Sequence, residues 1–184
     1  MRSNKLLRGF ILLGLLFVCM QNMQAQALNT ATIRETVEFW KVLENPIQIG
    51  AGNDPWINFN MPFTFTYDNQ TISSIYIYGN GWIKFNAAGD PSGLNMPYFA
   101  GSNNSVYWYG RDLFTEGSLS YKVEGSAPFR VLTVQQLGAR FITDQTGATF
   151  DAQIKFYETT NEIQIIYGNA AGLGGGGISG WLGF

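Results

Sequence analysis

Apolar and polar side chains alternate with a period of two along most of the chain. In Phe150-Asp-Ala-Gln-Ile-Lys-Phe-Tyr157, residues Phe150, Ala152, Ile154 and Phe156 fall on one side and Asp151, Gln153 and Lys155 on the other. Ser118–Glu124 repeats the pattern, with Leu119, Tyr121 and Val123 predicted to point inward. That period marks strands with one buried and one wet face. Further strands are predicted at Thr32–Val42, Met61–Tyr67, Ile72–Tyr78, Trp82–Asn86, Ser105–Tyr109, Phe129–Leu137 and Glu162–Tyr167, with a last one from Ile178. Residues 30–44 could also be read as a short helix, but the β-branched Thr32, Ile33, Thr36 and Val37 favour a strand.

Turn signals separate these runs. Asp68-Asn69, Gly79-Asn80-Gly81 and Thr159-Thr160-Asn161 each split two strands, and an Asn-Gly step readily takes the positive φ angles of a tight hairpin. About nine or ten strands at this spacing predict an all-β fold, a two-sheet antiparallel β-sandwich of jelly-roll-like form. The main irregular segment runs from Ala87 to Asn104, and a glycine run occupies Gly172–Gly177. The sequence ends on a strand-like segment at Phe184, which either closes the sheet or belongs to a longer protein of which this is a fragment.

The first 27 residues break the alternation. Arg2, Lys5 and Arg8 precede an apolar run from Phe10 to Met20, and a polar stretch then leads to Ala25-Gln26-Ala27. A basic head, a short apolar core and small residues at a cleavage site are the layout of a secretory signal peptide. The run is too short to span a bilayer, which needs about 20 residues. Residues 1–27 are therefore expected to be cleaved. Residues 28–184 then form one sandwich domain, secreted to the extracellular space or outer cell surface, without membrane insertion after cleavage.

Removing the leader changes the charge. Eight basic residues then stand against all 13 acidic ones, a net charge of about −5. A chain without clustered Lys and Arg is not expected to bind nucleic acid. The single cysteine, Cys19, lies in the leader, so the rest has no thiol chemistry. There is no histidine, which removes Ser-His-Asp catalysis and His-ligated zinc.

The candidate chemistry is therefore aromatic or acidic. Trp108 stands between Tyr107 and Tyr109, with Tyr98 in the preceding loop. Strand parity puts Tyr107 and Tyr109 on one face and Trp108 on the other. Exposed rings at these four positions would form a sugar-stacking platform; the competing reading is that they fill the core. Asp90, Asp112, Glu116, Asp144 and Asp151 are the only candidate catalytic groups. A glycosidase needs two carboxylates about 5–9.5 Å apart, and nothing in the spacing fixes such a pair. Asp90 and Asp112, with Asn103 and Asn104, are a weak calcium set without the D-x-D-x-D-G spacing. No other cofactor is expected.

Several segments together resemble a known module. Met61-Pro62-Phe63-Thr-Phe-Thr-Tyr67, Ser73-Ser74-Ile75-Tyr76-Ile77 and Gly79-Asn80-Gly81-Trp82-Ile83-Lys84-Phe85 are similar to three successive strands of nidogen-like extracellular modules. The aromatic segment Val106–Leu113 and the stretch Gly117–Gly125 followed by Ala127-Pro128-Phe129-Arg130-Val131 continue the likeness. Phe156-Tyr157-Glu158-Thr159-Thr160-Asn161-Glu162-Ile163 is similar to a hairpin common in large secreted proteins of Bacteroidetes-type bacteria. Arg111 replaces the usual second acidic residue, which weakens a metal site. The resemblance implies a non-catalytic adhesive or structural module whose partners are other surface proteins or polysaccharide. The alternatives are a carbohydrate-binding module and, further off, a glycosidase.

Overall fold

Alternation alone does not say which strands pair; the turns do. In the computed structural model, which describes residues 39–86, 104–142 and 147–171, Asp68 and Asn69 take φ of 47° and 57°. Two positive φ angles in a two-residue loop match the right-handed twist of the strands they join. They join β2 (Trp56–Tyr67) to β3 (Gln70–Tyr78). The turn after β3 works differently. Only Gly81 has positive φ, at 76°, and its N–H donates to the Tyr78 carbonyl. Asn80 keeps ordinary backbone angles, and its side chain is engaged: the Leu113 N–H donates to Oδ1, and Nδ2 donates to Asp54. This turn leads to β4 (Trp82–Phe85), which pairs with β5 (Ser105–Tyr107).

The second sheet follows in the same manner. β6 (Leu113–Glu124), β7 (Val131–Phe141), β8 (Thr149–Tyr157) and β9 (Ile163–Ala171) pair in chain order, and β1 (Ile47–Asn53) joins the free side of β6. The result is a five-stranded sheet, β1-β6-β7-β8-β9, and a four-stranded sheet, β2-β3-β4-β5, antiparallel throughout. The predicted two-sheet sandwich is thus the observed one, with nine strands among the described residues. Each sheet is a meander in which β1–β6 is the one non-consecutive pair, simpler than jelly-roll interleaving. All described residues belong to one of the two compact units of the chain, residues 37–184. The predicted leader and the strands predicted before residue 39 and after residue 178 lie outside them. Among the described residues no helix is long and apolar enough to cross a membrane.

Two expectations need correction. β1 was not predicted, because Gly50 and Gly52 interrupt its alternation and mark bulges in its pairing with β6. The predicted strand Thr32–Val42 is irregular where described, at residues 39–42.

The core lies between the sheets. Phe65, Ile75, Ile77, Ile83 and Phe85 from one meet Leu119, Leu132, Val134, Ile154 and Phe156 from the other. Phe156 packs edge-on against both Phe65, centroids 5.5 Å apart, and Phe85, at 5.8 Å, an arrangement favoured by the ring quadrupoles. Two polar ties cross this apolar layer. Gln136, buried on β7, donates to the Gly79 carbonyl (2.6 Å) and to Thr115 (2.9 Å) while accepting from the Trp108 indole N–H (3.1 Å). Arg130 holds Glu158 through two nitrogens, at 2.9 and 2.6 Å, donates to the Pro62 carbonyl and lies over the Phe63 ring. The first tie sits inside the sandwich and the second at its rim.

Candidate functional site

The aromatic residues divide between the core and an outer face. Trp108 is only 2% exposed, and its indole N–H is spent on Gln136. Tyr109 is 7% exposed and stacks on Phe150 at 4.2 Å. Neither ring offers a face to a sugar in this fold. The reason is local. β5 ends at Tyr107, and the chain then wraps the Gly81 carbonyl, which accepts from the N–H groups of Trp108, Tyr109 and Gly110 at 3.0–3.1 Å. Strand parity therefore fails after Tyr107, and both Trp108 and Tyr109 enter the core. A side chain at Gly81 would collide with Tyr109, so this turn requires glycine. Tyr98 lies outside the described residues.

Tyr107 alone of that group points away from the core, and it is the end of a row. Across the outer face of the four-stranded sheet, Trp56 is opposite Tyr78, Tyr78 opposite Trp82, and Trp82 opposite Tyr107. Their ring centroids are 6.4, 4.0 and 6.2 Å apart with interplanar angles of 20°, 9° and 20°. Directly opposed cross-strand pairs are close enough for such contact. The rings stand face to face, and the central pair is closed to solvent: Tyr78 is 1% and Trp82 7% exposed, with the Tyr78 hydroxyl and the Trp82 indole nitrogen buried as well. Trp56, on the edge strand β2, remains 47% exposed. The row was missed in the sequence, although Tyr78 and Trp82 flank a three-residue turn and so had to face each other. A second row beside it is polar: Asn58, Tyr76, Lys84 and Ser105 pair in register.

The outer face of the five-stranded sheet is closed by hydrogen bonds. Residues 39–43 cross it as a strap, and the chain bends at residues 44–45. Gln153 donates to the Lys41 carbonyl (2.7 Å) and to Gln135 Oε1 (2.9 Å), which also accepts from the Leu43 N–H (2.9 Å). Trp40 lies flat on the backbone of β9, where a Cβ on Gly168 would fall inside its ring. Gln153, expected on a wet face, is therefore buried, as are Gln135 and Thr133. Val123, expected inside, lies partly exposed near the end of β6. Beside the strap is a groove of about 500 Å³ with Phe39, Val42 and Phe129 on its walls.

The carboxylates do not form one centre. Glu116 is bound to Arg140 at 2.6 Å, and Asp151 caps the Gly138 N–H at 2.8 Å. Asp112 lies instead near Asp54: burial, and then the Asp54 charge, push its carboxyl above the usual range. One Asp112 oxygen is buried without a hydrogen-bond partner among the described residues. Asp90, paired with Asp112 in the calcium expectation, and Asp144 lie outside those residues. Among the described residues no three His, Cys, Asp or Glu side chains converge as metal ligands.

A family model described as NIDO related, that is nidogen-related, matches residues 30–182. No curated protein and no solved structure matches the chain.

Proposed function

Since the chain belongs to the nidogen-related family, whose domains are generally extracellular and not known as enzymes, we propose that it is a secreted, non-catalytic adhesive or structural module. In this reading the leader directs export, and the domain acts by contact with other surface proteins or with polysaccharide. The observation that carries it is the aromatic row Trp56–Tyr78–Trp82–Tyr107 on an outer face, ending in a half-exposed indole. A broad, rigid strand surface with amphipathic rings suits recognition of an extended partner. Glu116, Asp151 and Glu158 are held in ion pairs and a cap.

The test is genetic. Deleting the gene should weaken cell adhesion or biofilm cohesion, and restoring it should restore both. Normal behaviour in both assays would refute the adhesive reading. Recovery of the protein from the envelope or medium, with an intact mass lacking residues 1–27, is the expected sign of export.

A further inference from the structure

We propose that the β2 edge of the four-stranded sheet docks a neutral glycan, with Trp56 as the stacking ring and Asn58 and Asn60 as the hydrogen-bonding groups. This rests on the adhesive reading and names its ligand class.

The geometry of the aromatic row selects Trp56. A sugar stacks on the face of a ring, through the C–H groups of the pyranose. In this row the faces of Tyr78 and Trp82 are turned to each other at 4.0 Å and are closed. Trp56 has one face toward Tyr78; β2 is the last strand of its sheet, so among the described strands none pairs beyond its other face. The contact with Tyr78 holds the indole upright, so binding does not have to order it first.

The neighbouring side chains fit an uncharged, hydroxyl-rich partner. Trp56, Asn58 and Asn60 are all exposed and alternate along β2. They therefore share one face at steps of about 7 Å, the scale of a single sugar ring. Each carboxamide offers both donors and an acceptor, which suits vicinal hydroxyls. Tyr76 stands opposite Asn58, and Lys84 opposite Tyr76. Lys84 is the one charged side chain on the outward positions of the described strands of this sheet. A surface with so little charge favours a neutral polymer over an anionic one.

The experiment is a titration of the secreted chain, followed by tryptophan fluorescence, with laminarin, mannan and xyloglucan as neutral probes and alginate and heparin as anionic ones. We expect saturable binding to at least one neutral probe. Trp56→Ala should weaken it by about tenfold or more. Asn58→Ala, a milder change that keeps the indole, should weaken it by roughly threefold to tenfold. Phe129→Ala, which removes an exposed ring on the other side of the molecule, should leave it unchanged. No binding to any neutral probe, tighter binding to the anionic ones, or native affinity in both β2 variants overturns the assignment. Equal loss in Phe129→Ala and Trp56→Ala also overturns it, since that marks nonspecific adhesion of rings. If the titration fails while gene deletion still impairs adhesion, the glycan assignment falls and the adhesive reading stands; the partner is then a protein.

Discussion

The two outer faces of this sandwich are closed by opposite chemistries. On the five-stranded sheet the buried groups are Gln135, Gln153 and Thr133, and the two amides are satisfied by the main chain of residues 41–43. On the four-stranded sheet they are Tyr78 and Trp82, whose rings stack on each other at 4.0 Å. A buried amide must find hydrogen-bond partners, so the first face needs a second segment laid across it. The ring faces are covered by side chains of the adjacent strands, and the stack can stop at the sheet edge with one face open. The difference separates a face whose ligand is part of its own chain from one whose terminal ring is free to meet another molecule.

Breaking the ring stack should have the largest effect. Trp82→Ala removes an almost fully buried indole, and its cost is expected at about 3–5 kcal/mol, read from denaturant midpoints. Trp56→Ala, at the open end, should cost below about 1 kcal/mol. Equal costs at the two positions would show that the row is not closed at its centre. On the other face, Gln153→Leu leaves the Lys41 carbonyl without its Gln153 donor and removes one of the two donors to Gln135 Oε1. The expected loss is about 1–3 kcal/mol, with faster hydrogen exchange at the Leu43 amide. Unchanged exchange there would mean that Trp40 alone holds the strap.

These faces were unequally legible in the sequence. Each strand from β2 to β9 contains a run that alternation marks, but β2 begins at Trp56 and β6 at Leu113, each five residues before the expected starts at Met61 and Ser118. Which face of each is covered depends on distant residues. Gln153 reads as solvent-facing by parity and is buried only because a segment 112 residues away lies over it. Tyr78 opposite Trp82 could have been deduced from their shared turn. Trp56 opposite Tyr78 could not: counting back from Asp68-Asn69 fails at an irregularity between Asn60 and Phe65. There four residues of β2, 61–64, stand against one of β3, Ser73. Trp108 was ambiguous for a similar reason, since one carbonyl, that of Gly81, gathers three N–H groups and ends the strand two residues early. The resemblance to nidogen-like modules located the domain, but gave no exposed residue.

A rim contact should affect both faces alike. Glu158 is held at about 2, first by its hydrogen bond from the Arg130 side chain. Its folded value is depressed, so the stability it confers is fully present above the ordinary carboxylate value of 4.5 and is lost as pH falls toward about 2. Thermal melts should decline over that interval. Arg130→Met should be less stable at neutral pH and show a shallower acid decline. Because the pair ties β8 to the Pro62 region of β2, acid should raise exchange at the Leu43 amide and change Trp82 fluorescence together. Loss at one face only would locate the weakness in that face instead of the joint.

The smallest effect is expected beside the open end of the ring row. Asp54 lies two residues before Trp56 and donates its charge to the neighbourhood of Asp112, whose own carboxyl is raised chiefly by burial. A raised folded value means that the ionised form is disfavoured in the fold. Stability is therefore greatest below the ordinary carboxylate range and declines as pH rises through it. Asp112→Asn removes that charge and keeps the shape. It should raise stability at pH 7 by less than about 0.5 kcal/mol, the scale of partly exposed charges, and the gain should vanish near pH 3. The opposite result would be more informative. If the variant is less stable at pH 7, and only when calcium is in the buffer, then Asp112 and Asp54 serve a cation. The flank of Trp56 would then be a metal-braced ligand site, not merely the end of a stack.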